Sequence, residues 1–298
     1  MEKPKAKSSG KFKFLKLLFK IAITLVCLWY VSTKIDFDEL ATALSTIDWL
    51  YLGLAFAAFI ISKTIASFRL NIYFRNIHIF LTEKENLKLF WLGMFYNLFL
   101  PGSITGDAYK VVVLSPRFNV RYKQTTAAVL LDRFSGLLAL GLILAVYAVF
   151  TLNNTTWIAL LIAGAIAAVF ILYFIIRRYF PEFIPGFWPT FFLGLGVQIM
   201  MVACIYAVML ALHIHEGQTG YVFIFLVAVV ASVLPLTVGG GLGIREFVFY
   251  KGALYLGLNE HTAILVSLLF YFVTLVTSLF GAVYVFRKIF DEKTVATQ

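Results

Sequence analysis

The sequence predicts an all-α integral membrane protein, and three observations carry that prediction. Hydrophobic residues make up 61% of the chain and charged residues 13%, where a soluble domain carries roughly 25% charged residues. The apolar residues come in long runs, such as 136–150 and 157–176, which suit a hydrocarbon core about 30 Å thick. Lys and Arg gather in the short segments between these runs, as they do on the cytoplasmic side of membrane proteins.

The elements follow in order. Residues 1–13 form a basic tail whose lysines, with Lys16 and Lys20, precede the apolar stretch 21–31. No small-residue cleavage site follows, so 14–32 reads as a retained first helix rather than a signal peptide. Further spans are expected near 49–74, 125–150, 157–176, 188–212 and 262–286, about six in all. Two more apolar segments are broken in the middle. Segment 89–115 is interrupted at Pro101 and Gly102, and segment 221–258 at Pro235 and the cluster Gly239, Gly240, Gly241 and Gly243. A half such as 89–101 is roughly 20 Å long at 1.5 Å per residue, too short to span. Both segments are therefore expected to be re-entrant hairpins; two short full spans in each would leave the loops on the same sides.

With both hairpins returning to their side of entry, the inside receives Arg75, Lys84, Lys88, Arg117, Arg121, Lys123, Arg177, Arg178, Arg287, Lys288 and Lys293 besides the N-terminal lysines. The outside receives Lys34. Both termini are thus expected in the cytoplasm, with 14–288 as one polytopic membrane domain and 289–298 as a second tail. The order helix, helix, hairpin, helix then occurs twice in opposite orientation, over 14–150 and 157–286. That is the pattern of inverted-topology repeats, whose broken helices meet near the midplane and form the substrate site. The competing reading is that Gly and Pro only kink ordinary helices.

Ionisable groups at membrane depth need a partner, a wet cavity or a function. The candidates are Lys63, Arg69, Asp107, Lys110, Asp132, Arg133, Arg245, Glu246 and Lys251. Their excess of positive charge suits an anionic ligand. Lys63 and Arg69 are as readily explained by snorkelling to the interface, whereas Asp107, Arg245 and Glu246 each stand beside a helix break. The glycine-rich turn before Ile244 is expected to turn backbone N–H groups toward a phosphate, with Arg245 adding charge-assisted bonds.

Several classes of function are disfavoured. The net charge of +10 is spread over short loops without an aromatic and basic module, so nucleic acid is not an expected partner. Cys27 and Cys204 lie inside apolar runs and predict no disulfide. His213 and His215 lack further ligands for a metal, and no cofactor is expected. The D-x-D of Asp36 and Asp38 sits in a short loop with no nucleotide-binding domain around it, and the sequons at Asn153 and Asn154 occupy a very short loop.

Three motifs in order resemble a known family. Phe95 to Lys110 reads FYNLFLPGSITGDAYK, Leu130 to Leu138 reads LLDRFSGLL, and Leu234 to Phe247 reads LPLTVGGGLGIREF. They are similar to the signatures of the lysylphosphatidylglycerol synthase/flippase membrane domain family, over nearly the whole membrane chain. The resemblance marks Asn97, Pro101, Gly106, Asp107, Asp132, Arg133, Pro235, Gly240, Gly241, Gly243, Arg245 and Glu246. It implies a polytopic inner-membrane domain that translocates modified lipids. Lys110 stands where the family often has Arg, and Asp132-Arg133 where it has a Glu-Arg pair. Two-domain members attach a soluble aminoacyl transferase, absent here, so lysyl-lipid synthesis is not expected.

The expected function is a lipid flippase-like transporter for a charged, phosphate-bearing headgroup on a phospholipid or polyprenyl carrier. Asn97, Asp107, Lys110, Asp132, Arg133, Gly240, Gly241, Gly243, Arg245 and Glu246 are its expected substrate-binding residues. The alternatives are a membrane-embedded polyprenyl-phosphate glycosyltransferase and a non-transporting assembly factor.

Overall fold

The computed structural model describes Trp29, Thr42 and residues 45–100, 104–233, 241–287 and 289–290. The expected helix 14–32, the basic tail 1–13, the Asp36/Asp38 pair, Pro101, Gly102, Pro235, Gly239 and Gly240 lie outside these. The described residues form helices and connecting turns with no strand, and five stretches are long and apolar enough to cross a membrane. This is an all-α, multi-pass membrane protein.

Helix α1 (Trp49–Arg75) starts where the Asp48 carboxylate accepts the Leu50 N–H, satisfying one of the donors that a helix N-terminus leaves open. Helix α2 (Glu83–Phe99) starts with a capping box in which the Thr82 hydroxyl and the Glu85 carboxylate satisfy each other's backbone N–H. It ends just before the Pro101–Gly102 break. The chain resumes as α3 (Thr105–Arg117) and then α4 (Tyr122–Thr151). Helix α5 (Thr155–Tyr179) is capped by Asn154, one of the two sequon asparagines. Its Trp157, Leu160, Ile166, Phe170 and Phe174 are all exposed, as lipid-facing side chains are in a helix that is apolar all round. A short 3-10 turn leads into α6 (Phe187–Ala211). The second broken segment is α7 (Gln218–Val233) and α8 (Ile244–Leu256), and α9 (Glu260–Leu279) closes the bundle, its end tightened into a 3-10 turn.

Each broken segment folds back to the end it started from. The chain after α1, the turn between α3 and α4, and Glu182 after α5 line one cavity, so α2 enters and α3 leaves at the same end. The second hairpin does so at the opposite end, where the Tyr221 hydroxyl of α7 donates to the Asn259 carbonyl just beyond α8. That end also holds the Asp48 N–H to Ala211 carbonyl bond between the start of α1 and the end of α6.

The packing keeps its pattern when α1–α4 are exchanged for α6–α9. Helix α1 lies along α6 at the centre. Around them α2 meets α3 as α7 meets α8, α3 meets α4 as α8 meets α9, α4 meets α7 as α9 meets α2, and α4 meets α6 as α9 meets α1. This is the arrangement expected of inverted-topology repeats. Single positions follow it too. Asp107 and Glu246 are each the third residue of the half helix after a break, and Lys63 and Met201 are each the fifteenth of their central helices.

The basic residues predicted to share one side include Arg117, Arg121 and Arg178, which flank the turns at one end of this bundle. Single cysteines replacing Arg117 and Arg178 are expected to react with an impermeant maleimide from one face of the membrane, and one replacing Thr155 from the other. Labelling of positions 117 and 155 from the same face would contradict the hairpin.

Candidate functional site

A cavity of about 310 Å³ lies between the two hairpins. Asn97 reaches it from the end of α2, Arg133 from α4, Lys63 from α1, Ser232 from the end of α7 and Arg245 from the start of α8; Thr274 and Ser278 of α9 complete the polar wall. Phe59, Phe90 and Phe270 supply apolar wall between these groups. Lys63 stands near the middle of its 27-residue helix, so the cavity lies at the depth where both hairpins turn. A larger crevice of about 600 Å³ between α4 and α5 has only apolar walls, Leu131, Phe134 and Leu172 among them. It has no means of holding a charged group.

The first hairpin depends on a close helix approach. A Cβ at Gly106 would run into the carbonyl of Gly93 on α2, so only glycine lets α3 lie this close to its partner. Across the break, the Asn97 side-chain oxygen accepts the Gly106 N–H at 2.8 Å. That bond satisfies one of the N–H groups that the N-terminus of α3 leaves without an intrahelical partner. The next residue, Asp107, receives both Lys110, at 3.0 Å, and Arg133 from α4. Lys110 also lies 4.9 Å from the centre of the Phe90 ring. One carboxylate therefore ties two cations to the hairpin tip.

Asp132 and Arg133 are neighbours in sequence but point to different partners. Asp132 accepts from Arg69 Nε at 2.7 Å, while Arg133 turns to Asp107. Arg69 does not snorkel: it is buried at 5% exposure, because its pairing with Asp132 removes the need to reach the interface. Lys63 does not snorkel either. It lies at mid-helix, too far from either end, and faces the cavity. Lys251, by contrast, is exposed and is not part of this cluster.

In the second hairpin, Arg245 and Glu246 are both buried, at 3% and 0% exposure. Arg245 donates to Glu246 Oε1 through Nε at 3.3 Å and Nη2 at 3.1 Å, and Ser267 of α9 donates to the same oxygen at 3.0 Å. The Arg245 guanidinium stacks 5.3 Å from the Phe270 ring centre and 5.1 Å from that of Tyr271, a cation–π arrangement that suits its planar charge. The other Glu246 oxygen accepts the Gly243 N–H at 2.7 Å. The Gly243 N–H points at a carboxylate of its own helix, so Glu246 occupies the anion position that the half-helix N-terminus offers.

Gly241 and Gly243 both have positive φ, 97° and 87°, a region that side-chain-bearing residues rarely enter. At Gly241 a Cβ would also lie 2.6 Å from Ser232 Oγ on α7. The crowding at Gly241 thus comes from the opposing half helix. Ser232, Ser267 and Thr274 were not among the residues singled out from the sequence, and Arg69 and Asp132 were singled out but not as partners. Ser232 is a polar residue inside an apolar run shortly before Pro235, as Asn97 is before Pro101, and that parallel is the signal that marks it.

His213 bonds the Thr46 carbonyl at 3.0 Å in a turn between helices. Among the described residues no three His, Cys, Asp or Glu side chains gather as metal ligands would.

The model of the lysylphosphatidylglycerol synthase TM region family matches residues 17–281. No curated protein matches the chain.

Proposed function

We propose that this chain, which belongs to the lysylphosphatidylglycerol synthase TM region family, translocates a lipid with a phosphate-bearing headgroup across the cytoplasmic membrane. The observation that carries this reading is the cavity between the hairpins. Cations from three helices, Lys63, Arg133 and Arg245, line it, at the depth where broken helices form substrate sites in inverted-repeat transporters. Asn97, Asp107, Lys110, Arg133, Gly241, Gly243, Arg245 and Glu246 bind the headgroup or hold the groups that do. Asp132 acts through Arg69, and Gly240 of the glycine-rich sequence before Ile244 is a further headgroup-binding residue. Arg245 keeps its planar charge toward the cavity because Glu246 and Ser267 fix its orientation. Acyl or isoprenoid chains stay in the bilayer beside lipid-exposed faces such as that of α5. Both hairpins are re-entrant, the repeats are 14–150 and 157–286, and rocking of one against the other opens the cavity to each face in turn. Both chain ends lie in the cytoplasm, and the chain works as a transporter without catalysing a reaction.

The test is reconstitution. Purified protein is placed in phosphatidylcholine vesicles with a trace of fluorescent phosphatidylglycerol confined to the inner leaflet, with and without an imposed pH gradient. The label is expected to become accessible to an impermeant quencher faster than in protein-free vesicles, in at least one of the two conditions. Equal rates in both conditions would overturn the proposal.

A further inference from the structure

Of the three cations lining the cavity, two are already committed. Arg133 pairs with Asp107, and Arg245 with Glu246. Lys63 differs: among the described residues no carboxylate lies within ion-pair distance of it. Its ammonium approaches the Met201 thioether at 3.8 Å and the face of Phe59 at 4.6 Å from the ring centre. A thioether is a weak acceptor, and a single ring compensates only part of a cation's lost hydration. Such a charge in mid-membrane demands a partner or a wet cavity, and here the cavity is where its remaining N–H donors can be satisfied.

Its position adds a second argument. Lys63 and Met201 occupy corresponding positions of the two central helices and touch each other. Met201 shows that this position can be filled by an unbranched apolar side chain of similar reach. The charge at Lys63 is therefore not required by the packing of the two helices, and it breaks the correspondence of the two halves just where the cavity opens.

We propose that Lys63 is the residue that contacts the phosphate oxygens of the lipid headgroup, the unpaired positive charge that the anion neutralises on entry. This deepens the function proposed above and rests on it. Asp107 and Glu246 keep Arg133 and Arg245 in place as fixed walls, while the flexible lysine supplies the contact made only when headgroup is present. An ammonium is suited to that part because it is a compact charge on a mobile stem.

The experiment measures binding by native mass spectrometry of the purified full chain in detergent. Two probes are used: phosphatidylglycerol, and diacylglycerol with the same acyl chains but no phosphate. The variants are Lys63→Met, which copies the residue at the corresponding position, and Lys63→Arg. Wild type is expected to prefer phosphatidylglycerol. Lys63→Met is expected to lose that preference by about tenfold or more, the effect of removing one charge-assisted bond, with diacylglycerol binding and melting temperature unchanged. Lys63→Arg is expected to retain most of it. If wild type prefers phosphatidylglycerol and Lys63→Met does so equally, the role of Lys63 is overturned and the site survives. If wild type itself shows no preference, the phosphate-site reading falls with it.

Discussion

Asp107→Asn is expected to abolish lipid translocation and to destabilise the protein by about 3–5 kcal/mol, the usual effect of removing one member of a buried ion pair. The amide keeps the volume but removes the charge that holds both Lys110 and Arg133 at the hairpin tip. Two cations would then face each other with no shared anion, in a place where water cannot screen them well. Lys110→Met should do less harm, since Asp107 retains Arg133. Combining the two changes should recover part of the stability lost in Asp107→Asn, because the double variant leaves one cation fewer without its anion. Thermal unfolding of the three variants, read beside translocation, checks this. Equal melting temperatures for wild type and Asp107→Asn would show that the cluster does not hold the hairpin.

Gly241→Val should have the second largest effect. Its φ of 97° is strained for any side chain, by roughly 1–3 kcal/mol, and most for a β-branched one. The new Cβ would in addition meet Ser232 Oγ at 2.6 Å. Because the collision is with the opposing half helix, the expected result is a loss of both stability and translocation rather than of ligand binding alone. Gly241→Ala should be milder, and Gly241→Ala with Ser232→Gly milder still, since the second change removes the collision and leaves only the backbone strain. Melting temperatures in that order support this account. A Gly241→Val protein as stable and as active as wild type would contradict it.

The architecture was legible because membrane helices announce their length. The runs read as 49–74 and 188–212 form helices at Trp49–Arg75 and Phe187–Ala211, and Pro101 and Pro235 stand between paired half helices. The role of Lys63 was hidden for a physical reason. Its helix is apolar on every side, so no amphipathic stripe reveals which way the lysine points. The partner of Arg69 was hidden too, because pairing with Asp132 depends on how α1 and α4 are rotated against each other. Glu246 was legible as a charge beside a helix break, but the turn was expected to offer its N–H groups to a phosphate, whereas the Gly243 N–H is taken by the Glu246 carboxylate, a local capping spacing.

The claim that a headgroup passes between the two hairpins is tested most directly by filling the cavity. A single cysteine replacing Thr274, which lines it, would be modified with thiol reagents of increasing size in reconstituted vesicles. A cysteine replacing Phe174, exposed on the lipid-facing surface of α5, serves as the control. Translocation is expected to fall with each increase in adduct size at position 274 and to stay constant at 174. Undiminished translocation with the largest adduct seated at position 274 would mean that the lipid takes another path.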